Sequence, residues 1–545
     1  MYNEKFMPND TKIVVIGLDG ATLDLMIPWM DSGKLPHFDT IRKKGSYGKL
    51  RSTTPPYSAP AWVSIATGCQ PGKHGIYDFF RTDSHSKNLV NSRHRKTPAV
   101  WKYLTDVNKK SIIVGVPGTY PPEKINGFMV TGLLTPSPES KYTYPVELKE
   151  DLVEGKIGEY VLEQVGLDDI PKNLYARHNP QKLVDKINHM TVSHATVTLN
   201  LMKKNDWDFA MVVFRGTDDA QHLLWDKKDH VLSCYQKADE QIGIIMKAFP
   251  DALYMFVSDH GFTTAKKYLY VNNVLYNHGY LKTNSNPNYS MENVLMYLFN
   301  KLSGLFFRIL PMEKLVRTPI GKKLIFSSGT SGKIDFLETK AVYHSICSLG
   351  IRIMLKEKYE NGIVEIDEYE QLREDLISLF TEIKDSETGE HIVKNVYRYE
   401  DVYGKDSVND PLDLIFEINV GYGTQELLRQ PEGAIRTGQK GELSILSRPG
   451  FYDWIGDHAP DGIIFIYGDS IKKNNSINAS VMDIVPTILA AMNIPIPDII
   501  DGNVINSAFS TKLKCKKINW NKEFSKTKPL TGLEMNAIKR LRKKL

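Results

Sequence analysis

Acidic and imidazole side chains follow three apolar runs of the sequence, each of which has the composition of a buried β-strand. The runs and the groups that follow them are residues 12–18 before Asp19, residues 209–214 before Asp218 and His222, and residues 253–258 before Asp259 and His260. In open α/β sheets, ligands bind outside the carboxyl ends of the strands. We therefore expect these side chains to meet at one rim of a sheet.

A further histidine, His458, lies in the loop GDHAPDG just before another apolar run. Each element has an ordinary structural interpretation: Asp-Gly is a turn, Asp218 and His222 are an i, i+4 helical pair, and His458 is a hydrogen-bonded surface residue. Together, however, six unpaired groups at one rim need positive charge among them. Divalent cations would supply it, and Asp oxygen with His nitrogen suits zinc or manganese.

A reacting partner for such a site is present in residues 51–68, RSTTPPYSAPAWVSIATG. The prolines delay the helix that AWVSIATG predicts, so Ser58 falls in the turn leading into a helix N-terminus. Free N–H groups there favour an anionic phosphate, and metal coordination would make the serine hydroxyl nucleophilic. The structural alternative for Ser58 is an N-cap residue.

The elements that must position these groups form an α/β pattern, in which short apolar runs alternate with helical or loop-rich stretches. The six clearest runs are residues 12–18, 111–116, 209–214, 253–258, 413–419 and 462–468. Most are nearly continuous in Val, Ile and Phe, which predicts strands that are buried on both faces of a sheet.

The bulk composition is that of a globular protein, with 545 residues, 41% hydrophobic and 24% charged. A net charge of +5 argues against nucleic-acid binding. Four scattered cysteines indicate neither a disulfide framework nor a zinc knuckle. The polar start has no signal-peptide core, so we expect a cytoplasmic protein.

The domain prediction is one α/β domain over residues 1–510, interrupted by an inserted cap at about residues 276–340, and a basic C-terminal appendage at 511–545. Within the insertion, the 17 residues 294–310 are the most apolar segment, but Lys301 and Arg308 make it short and charged for a membrane span. It is interpreted as a helix covering the core, with contact to a membrane surface as the alternative.

In this order, these residues resemble the alkaline phosphatase superfamily, most closely its type I phosphodiesterase/nucleotide pyrophosphatase branch. The similarity runs from about Ile13 to Ile505 and is weaker in the insertion. The segments that carry it are VIGLDG, YSAPAWVSIATGCQPGKHGI, TDDAQHLLW, SDHGF, GDHAPDGIIFIYG and SVMDIVPTILAAMNIPIP. The resemblance implies a mostly parallel central sheet with helices on both faces and an inserted cap.

The resemblance also implies two divalent metal ions, zinc or alternatively manganese, and a small phosphoester or nucleotide substrate. By this similarity, Asp218, His222 and His458 would hold one ion, and the other would be bound by a second set: Asp19, Asp259, His260 and the oxygen of Ser58. Ser58 would attack phosphorus in line, and metal-activated water would release the phosphoseryl enzyme.

Two positions depart from related families. The nucleotide pyrophosphatases have a phosphate-binding Asn three residues past His-Gly-Ile, where HGIYDF has Phe79. The sulfatases require Arg in Cys/Ser-x-Pro-x-Arg, where SAPAW has Trp62. Nucleotide specificity is therefore open, and sulfatase chemistry is disfavoured.

The sequence thus predicts a metal-dependent phosphodiesterase or nucleotide pyrophosphatase. One alternative is a phosphomonoesterase or phosphomutase on the same core. A second is a phosphoryl-headgroup hydrolase or transferase that works at a membrane surface through residues 294–310 and the basic tail. A third, a binding protein without catalysis, is disfavoured because the ligand set is complete.

Overall fold

The computed structural model describes residues 10–82, 88–162, 179–284, 334–409, 411–426, 428, 446–447 and 455–524. Elements are numbered in chain order over these ranges. The strands are β1 Ile13–Leu18, β2 Ser46–Arg51, β3 Ser111–Val116, β4 Gly127–Thr131, β5 Thr143–Tyr144, β6 Phe209–Phe214, β7 Leu253–Val257, β8 Gly261–Thr264, β9 Lys267–Tyr270, β10 Ala341–Tyr343, β11 Gly350–Ile353, β12 Val393–Arg398, β13 Leu414–Ile418, β14 Tyr422–Gln425, β15 Leu446–Ser447, β16 Gly456–Ala459, β17 Asp461–Tyr467, β18 Asn475–Ser480, β19 Ile496–Pro497 and β20 Lys517–Ile518.

The α-helices are α1 Leu23–Asp31, α2 Pro36–Lys44, α3 Ser58–Thr67, α4 Pro71–His74, α5 Val100–Asp106, α6 Leu148–Val153, α7 Pro180–Lys204, α8 Gly216–Leu224, α9 Lys228–Ala248, α10 Val271–Asn277, α11 Ile366–Thr381, α12 Tyr399–Tyr403, α13 Ile484–Ala491 and α14 Trp520–Phe524. Short 3₁₀ turns cover Ser92–His94, Val481–Asp483 and Asn506–Ala508.

A nine-stranded sheet organises the molecule, in the order β18-β2-β17-β7-β1-β6-β3-β4-β5. Its centre, from β7 through β1, β6 and β3 to β4, is parallel. Strand β17 runs antiparallel to both of its neighbours, and β5 is antiparallel to β4. The parallel centre brings the carboxyl ends of β1, β6 and β7 side by side.

Both faces of the sheet are covered by helices, as the alternation of side chains along β1 shows. Val14 and Ile16 belong to a core with helices α1, α2, α7 and α9. Ile13 and Val15 belong to a second core with helices α3, α5 and α13. The predicted fold class, an α/β protein with a mostly parallel central sheet, is therefore confirmed.

One predicted strand of the α/β pattern lies elsewhere. Residues 413–419 contain β13, which belongs to a separate four-stranded antiparallel sheet in the order β10-β11-β13-β12. Helix α11 packs on this sheet through buried Leu376 and Phe380. An apolar run reports burial but not the sheet in which the strand lies, so its composition did not separate the two sheets.

The four-stranded sheet and the helix α11 that packs on it form a smaller unit. An ion pair joins this smaller unit to the three-stranded sheet β14-β9-β15. The Lys267 ammonium of β9 lies 2.6 and 2.7 Å from the two carboxylate oxygens of Asp385. The Tyr422 hydroxyl of β14 donates to the same carboxylate at 3.0 Å. Asp385 is buried, so these donors compensate its charge.

The predicted cap at 276–340 falls largely on residues 285–333, and these, like the apolar segment 294–310, lie outside the described residues. Of the predicted C-terminal appendage, residues 511–524 are described, and Trp520 packs edge-on against Tyr103 of the core at 4.9 Å between ring centroids. Over the described ranges, none of the helices combines the length and apolarity needed to cross a membrane.

The smaller unit yields a prediction about acid stability. Glu417 on β13 accepts from Lys394, Asn395 and Tyr397 on β12 at 2.7 to 2.9 Å. Burial opposes ionisation, but these hydrogen bonds lower the pKa of Glu417 from 4.5 to about 2. A depressed pKa stabilises the folded state above the unfolded pKa, and this contribution is lost as the pH falls from 4.5 towards 2.

At pH 7 we expect Glu417→Gln to lower the free energy of unfolding by on the order of 1–2 kcal/mol. The difference from wild type should shrink at pH 3, as measured by urea unfolding at both values. Glu360→Gln, at an exposed position of the same unit, is the control. An equal deficit of Glu417→Gln at both pH values would contradict this account.

Candidate active site

Asp19 lies at the centre of the rim and is fully buried directly after β1. Two groups from α8 fix the turn that carries it. The Thr217 hydroxyl donates to the Asp19 main-chain carbonyl at 2.6 Å, and the Gln221 amide donates to the Gly20 carbonyl at 2.8 Å. The Asp19 turn and helix α8 therefore form one rigid assembly.

Helix α8 presents Asp218 and His222 on the same side, because residues four apart are neighbours on a helix. Nε2 of His222 lies 3.2 Å from Oδ1 of Asp218. The other oxygen, Oδ2, is 3.5 Å from the Arg215 guanidinium. Although burial opposes ionisation, the neighbouring His222 holds the pKa of Asp218 well below its usual range.

Asp259 and His260 follow β7, and His458 is brought beside them by strand pairing. Strand β8 begins directly after His260 and pairs antiparallel with β16, which places His458 opposite Phe262. The rings of His260 and His458 stack with centroids 3.6 Å apart. Because β17 runs antiparallel to β7, the segment that precedes it lies at the same rim as the segments that follow the parallel strands.

Ser58 is the first residue of α3, and Tyr57, not Ser58, is the N-cap residue. The Ser58 hydroxyl oxygen lies 3.1 Å from Nε2 of His260 and 3.4 Å from Oδ1 of Asp19. The first-turn N–H groups of Ser58 and Ala59 have no intrahelical acceptor. This is the arrangement of a nucleophile at an anion-binding helix end.

The three histidines are oriented by main-chain carbonyls. Nδ1 of His222 faces the Gly456 carbonyl at 3.0 Å, that of His260 faces Gly261 at 3.0 Å, and that of His458 faces Pro56 at 2.9 Å. Because a carbonyl only accepts, each Nδ1 carries the proton in the neutral ring, and each Nε2 has its lone pair directed into the cluster.

The donor set fits divalent cations. Nε2 of His222 and Nε2 of His458 are 2.9 Å apart, so two lone pairs face each other. Buried Oδ1 of Asp218 and Oδ2 of Asp259 have no hydrogen-bond partner. The possible ligand atoms form two groups, and within each group they lie within 4.8 Å of one another. The groups are Asp218, His222 and His458, and Asp19, Asp218 and His260. Such a mixture of carboxylate and imidazole atoms suits zinc or manganese.

The electrostatics of the cluster also favour the binding of positive charge. Burial raises the pKa of Asp259 to about 7, and the Asp218 charge adds to this effect. The pKa of Asp19 is raised well above its usual value by burial, then by the charges of Asp259 and Asp218. Burial and the neighbouring His260 lower the pKa of His458 to about 3. Asp218 and His222 favour the charged form of each other. The raised pKa values of Asp19 and Asp259 and the lowered pKa of His458 nevertheless leave the rest of the site deficient in positive charge.

All seven predicted site residues meet at this rim: Asp19, Ser58, Asp218, His222, Asp259, His260 and His458. Phe79 instead packs against an apolar cluster beside helix α3 that includes Ala59, Ile76 and Leu134. It offers no polar donor, as the sequence comparison predicts.

Two site neighbours were missed by the sequence analysis. In the sequence, Trp62 is only a departure from the sulfatases, yet its indole N–H donates to Oδ2 of Asp19 at 3.0 Å. Asp457 is buried next to His458 and accepts the main-chain N–H of His458 at 2.8 Å. Its adjacency to a candidate ligand in GDHAPDG was the available signal.

A buried acid–imidazole cluster at the strand ends of this sheet, beside a helix N-terminus, defines the alkaline-phosphatase-like class of phosphoester hydrolases. A sequence profile of the family "Type I phosphodiesterase / nucleotide pyrophosphatase" matches residues 13–406. The chain belongs to this family, and it is a hydrolase of phosphoester bonds. A comparison with curated proteins finds no match.

Solved structures with a similar chain path include human ectonucleotide pyrophosphatase/phosphodiesterase 5, with a TM-score of 0.45 and 12% identity. The murine protein gives a TM-score of 0.46, and its inactive variant in complex with AMP gives 0.47, each at 12% identity. In all three comparisons, 89% of this chain and 95% of the other are covered.

The turn after Asp19 yields a prediction. Gly20 has a φ of +66°, and an added Cβ would lie 3.1 Å from Oδ1 of Asp218. We expect Gly20→Ala to lower the affinity for zinc, used as the probe cation, roughly tenfold by displacing this candidate ligand atom. The measurement is a competition titration with a chromophoric chelator.

Gly33→Ala is the matched control, because Gly33 has a similar φ of +72° but nothing within 4 Å of an added Cβ. Both variants should lose about 1 kcal/mol of stability from the backbone change. Only Gly20→Ala should lose zinc affinity, and equal affinities for the two variants would rule out crowding of Asp218.

Proposed function

We propose that this protein is a two-cation phosphodiesterase or nucleotide pyrophosphatase in which Ser58 is the nucleophile. The observation that carries the proposal is the position of the Ser58 hydroxyl, at a helix N-terminus and within 3.4 Å of both His260 and Asp19. A structural serine has no need of a buried acid–imidazole cluster around its hydroxyl.

Two sets of side chains would hold the cations. Asp218, His222 and His458 form the first set. The second comprises Asp19, Asp259, His260 and the Ser58 hydroxyl, of which Asp259 Oδ2 lies 3.2 Å from Nε2 of His260. We infer zinc because three imidazole nitrogens are available, with manganese as the alternative. The bound cations would stabilise negative charge on the entering and leaving oxygens.

The Ser58 side chain has the geometry for two successive displacements at phosphorus. In the first, the Ser58 hydroxyl loses its proton as Oγ forms a bond to phosphorus, the bond to the leaving oxygen breaks, and the leaving group takes up a proton. In the second, water attacks phosphorus, loses a proton and releases the Ser58 hydroxyl. The N–H groups of Ser58 and Ala59 would hold a phosphoryl oxygen in both steps.

The surroundings of Ser58 favour a diester over a monoester. Beside Ala59, the apolar cluster of Ile76, Phe79 and Leu134 offers no side-chain donor to a phosphoryl oxygen. A monoester dianion has one more anionic oxygen to satisfy than a diester, and leaving it without a partner is costly. We therefore infer that the second ester group lies towards this apolar wall.

The Ser58→Ala variant tests the nucleophile. We expect hydrolysis of bis-p-nitrophenyl phosphate to fall at least about 10³-fold because no covalent intermediate can form. Initial rates are measured beside p-nitrophenyl phosphate, with zinc or manganese added and a chelator blank. Wild type should turn over the diester faster than the monoester.

Ser64→Ala is the control on the same helix, because Ser64 contacts His74 at 3.0 Å rather than the acid–imidazole cluster. It should retain most of the diesterase rate. Unchanged hydrolysis by pure Ser58→Ala protein would refute the mechanism. A faster rate on the monoester would instead make the protein a phosphatase.

The cation sites are tested by metal content. Wild type loaded with excess zinc and then dialysed against metal-free buffer should retain about two equivalents by elemental analysis. His458→Ala should retain about one, since it removes a ligand of only one site. His391→Ala is the control, because that exposed histidine also has Nδ1 held by a carbonyl, of Thr381 at 2.8 Å. Equal zinc content in all three proteins would count against the assignment.

A further inference from the structure

Trp62 links helix α3, the nucleophile helix that begins at Ser58, to the candidate metal ligand Asp19. It lies one turn after Ser58 on α3 and is fully buried. Its indole N–H donates to Oδ2 of Asp19 at 3.0 Å. The same helix therefore presents a reacting hydroxyl at its first residue and a hydrogen-bond donor to the Asp19 carboxylate one turn later.

The two oxygens of Asp19 consequently have different surroundings. Oδ2 is held by Trp62, while Oδ1 faces the Ser58 hydroxyl at 3.4 Å and Nε2 of His260 at 3.6 Å. A neutral indole donor orients the carboxylate without cancelling its charge. An arginine or lysine here would fix the same oxygen but compete with a cation for it.

Close packing fixes the position of the indole ring. Gly17 precedes Asp19 by two residues, so both face the same side of the sheet. A Cβ on Gly17 would lie 2.3 Å from Cη2 and 2.9 Å from Cζ3 of Trp62. The ring therefore lies over Gly17, with its N–H directed at Asp19. Only a glycine at position 17 leaves room for it.

We propose that Trp62 is a positioning residue that acts through Asp19. It rotates the Asp19 carboxylate so that one oxygen alone is presented to the site formed with Ser58 and His260, and it sets the spacing between strand β1 and the nucleophile helix. This inference rests on the proposed function, because the role of Trp62 is to prepare a cation ligand.

Replacing Trp62 with Phe keeps an aromatic ring but removes the N–H. Loss of a partner that orients a metal ligand typically lowers metal affinity 10- to 100-fold, and we expect a loss in this range at one of the two zinc sites. The measurement is zinc competition with a chromophoric chelator. With zinc in excess, kcat should fall while KM changes little, since Trp62 contacts Asp19 and not the substrate.

Trp101→Phe is the matched control. Trp101 is also buried and donates its indole N–H to a carboxylate, Oε2 of Glu123, at 2.8 Å. This pair lies outside the acid–imidazole cluster, so the variant should bind both zinc ions with wild-type affinity. Equal zinc affinities for the two Trp variants would overturn the proposal.

A second replacement covers the case in which Trp62→Phe does not fold. Incorporation of β-(3-benzothienyl)alanine at position 62 keeps both rings and exchanges only the N–H for sulfur. Zinc affinity should again fall 10- to 100-fold at one site. If it equals that of wild type, the hydrogen bond has no positioning role.

These outcomes are distinct from failure of the proposed function. If wild type bound no zinc, or if Ser58→Ala hydrolysed the diester normally, the function itself would be wrong. If wild type binds two equivalents and Ser58→Ala is inactive, but the Trp62 variants bind zinc as wild type does, only the inference about Trp62 is wrong.

Discussion

The site depends on mutual repulsion among three buried carboxylates. Asp19, Asp218 and Asp259 lie together with almost no exposure to water, so each destabilises the ionised form of its neighbours. The fold holds them together through groups that cannot relax, including the Thr217 hydroxyl and the Gln221 amide on the Asp19 turn. That free-energy cost is offset once positive charge is bound, so cation binding and native stability are expected to be thermodynamically linked.

Much of the fold and the site could be predicted from the sequence because the apolar runs of the strands and the polar residues that follow them are local patterns. Apolar runs mark strands buried on both faces, and the residue following a parallel strand must lie at the ligand-binding rim. Asp19 and Asp259 follow directly from that rule. Asp218 and His222 need only helical spacing in addition. The resemblance to a family then grouped these residues with Ser58 and His458.

The remainder depended on long-range pairing, which local patterns do not encode. The direction of β17 decides at which end of the parallel strands His458 lies, yet an apolar run has the same composition in either direction. For the same reason, the composition of the run at 413–419 does not reveal that it belongs to the smaller sheet. In the sequence, Trp62 marks only the absence of an arginine, because a hydrogen bond to Asp19 across 43 positions leaves no periodic signal.

The groups that orient the three histidines are main-chain carbonyls, of Pro56, Gly261 and Gly456. In many metal sites this task falls to carboxylate side chains, which a single substitution can delete. Every residue type carries a main-chain carbonyl, so here no side-chain truncation removes an orienting group. The ring orientations are therefore robust to point substitution at the orienting positions and vulnerable to changes in the path of the backbone. Insertions and deletions between β2 and α3, or around the β8–β16 pair, are the mutations that evolution cannot readily tolerate here.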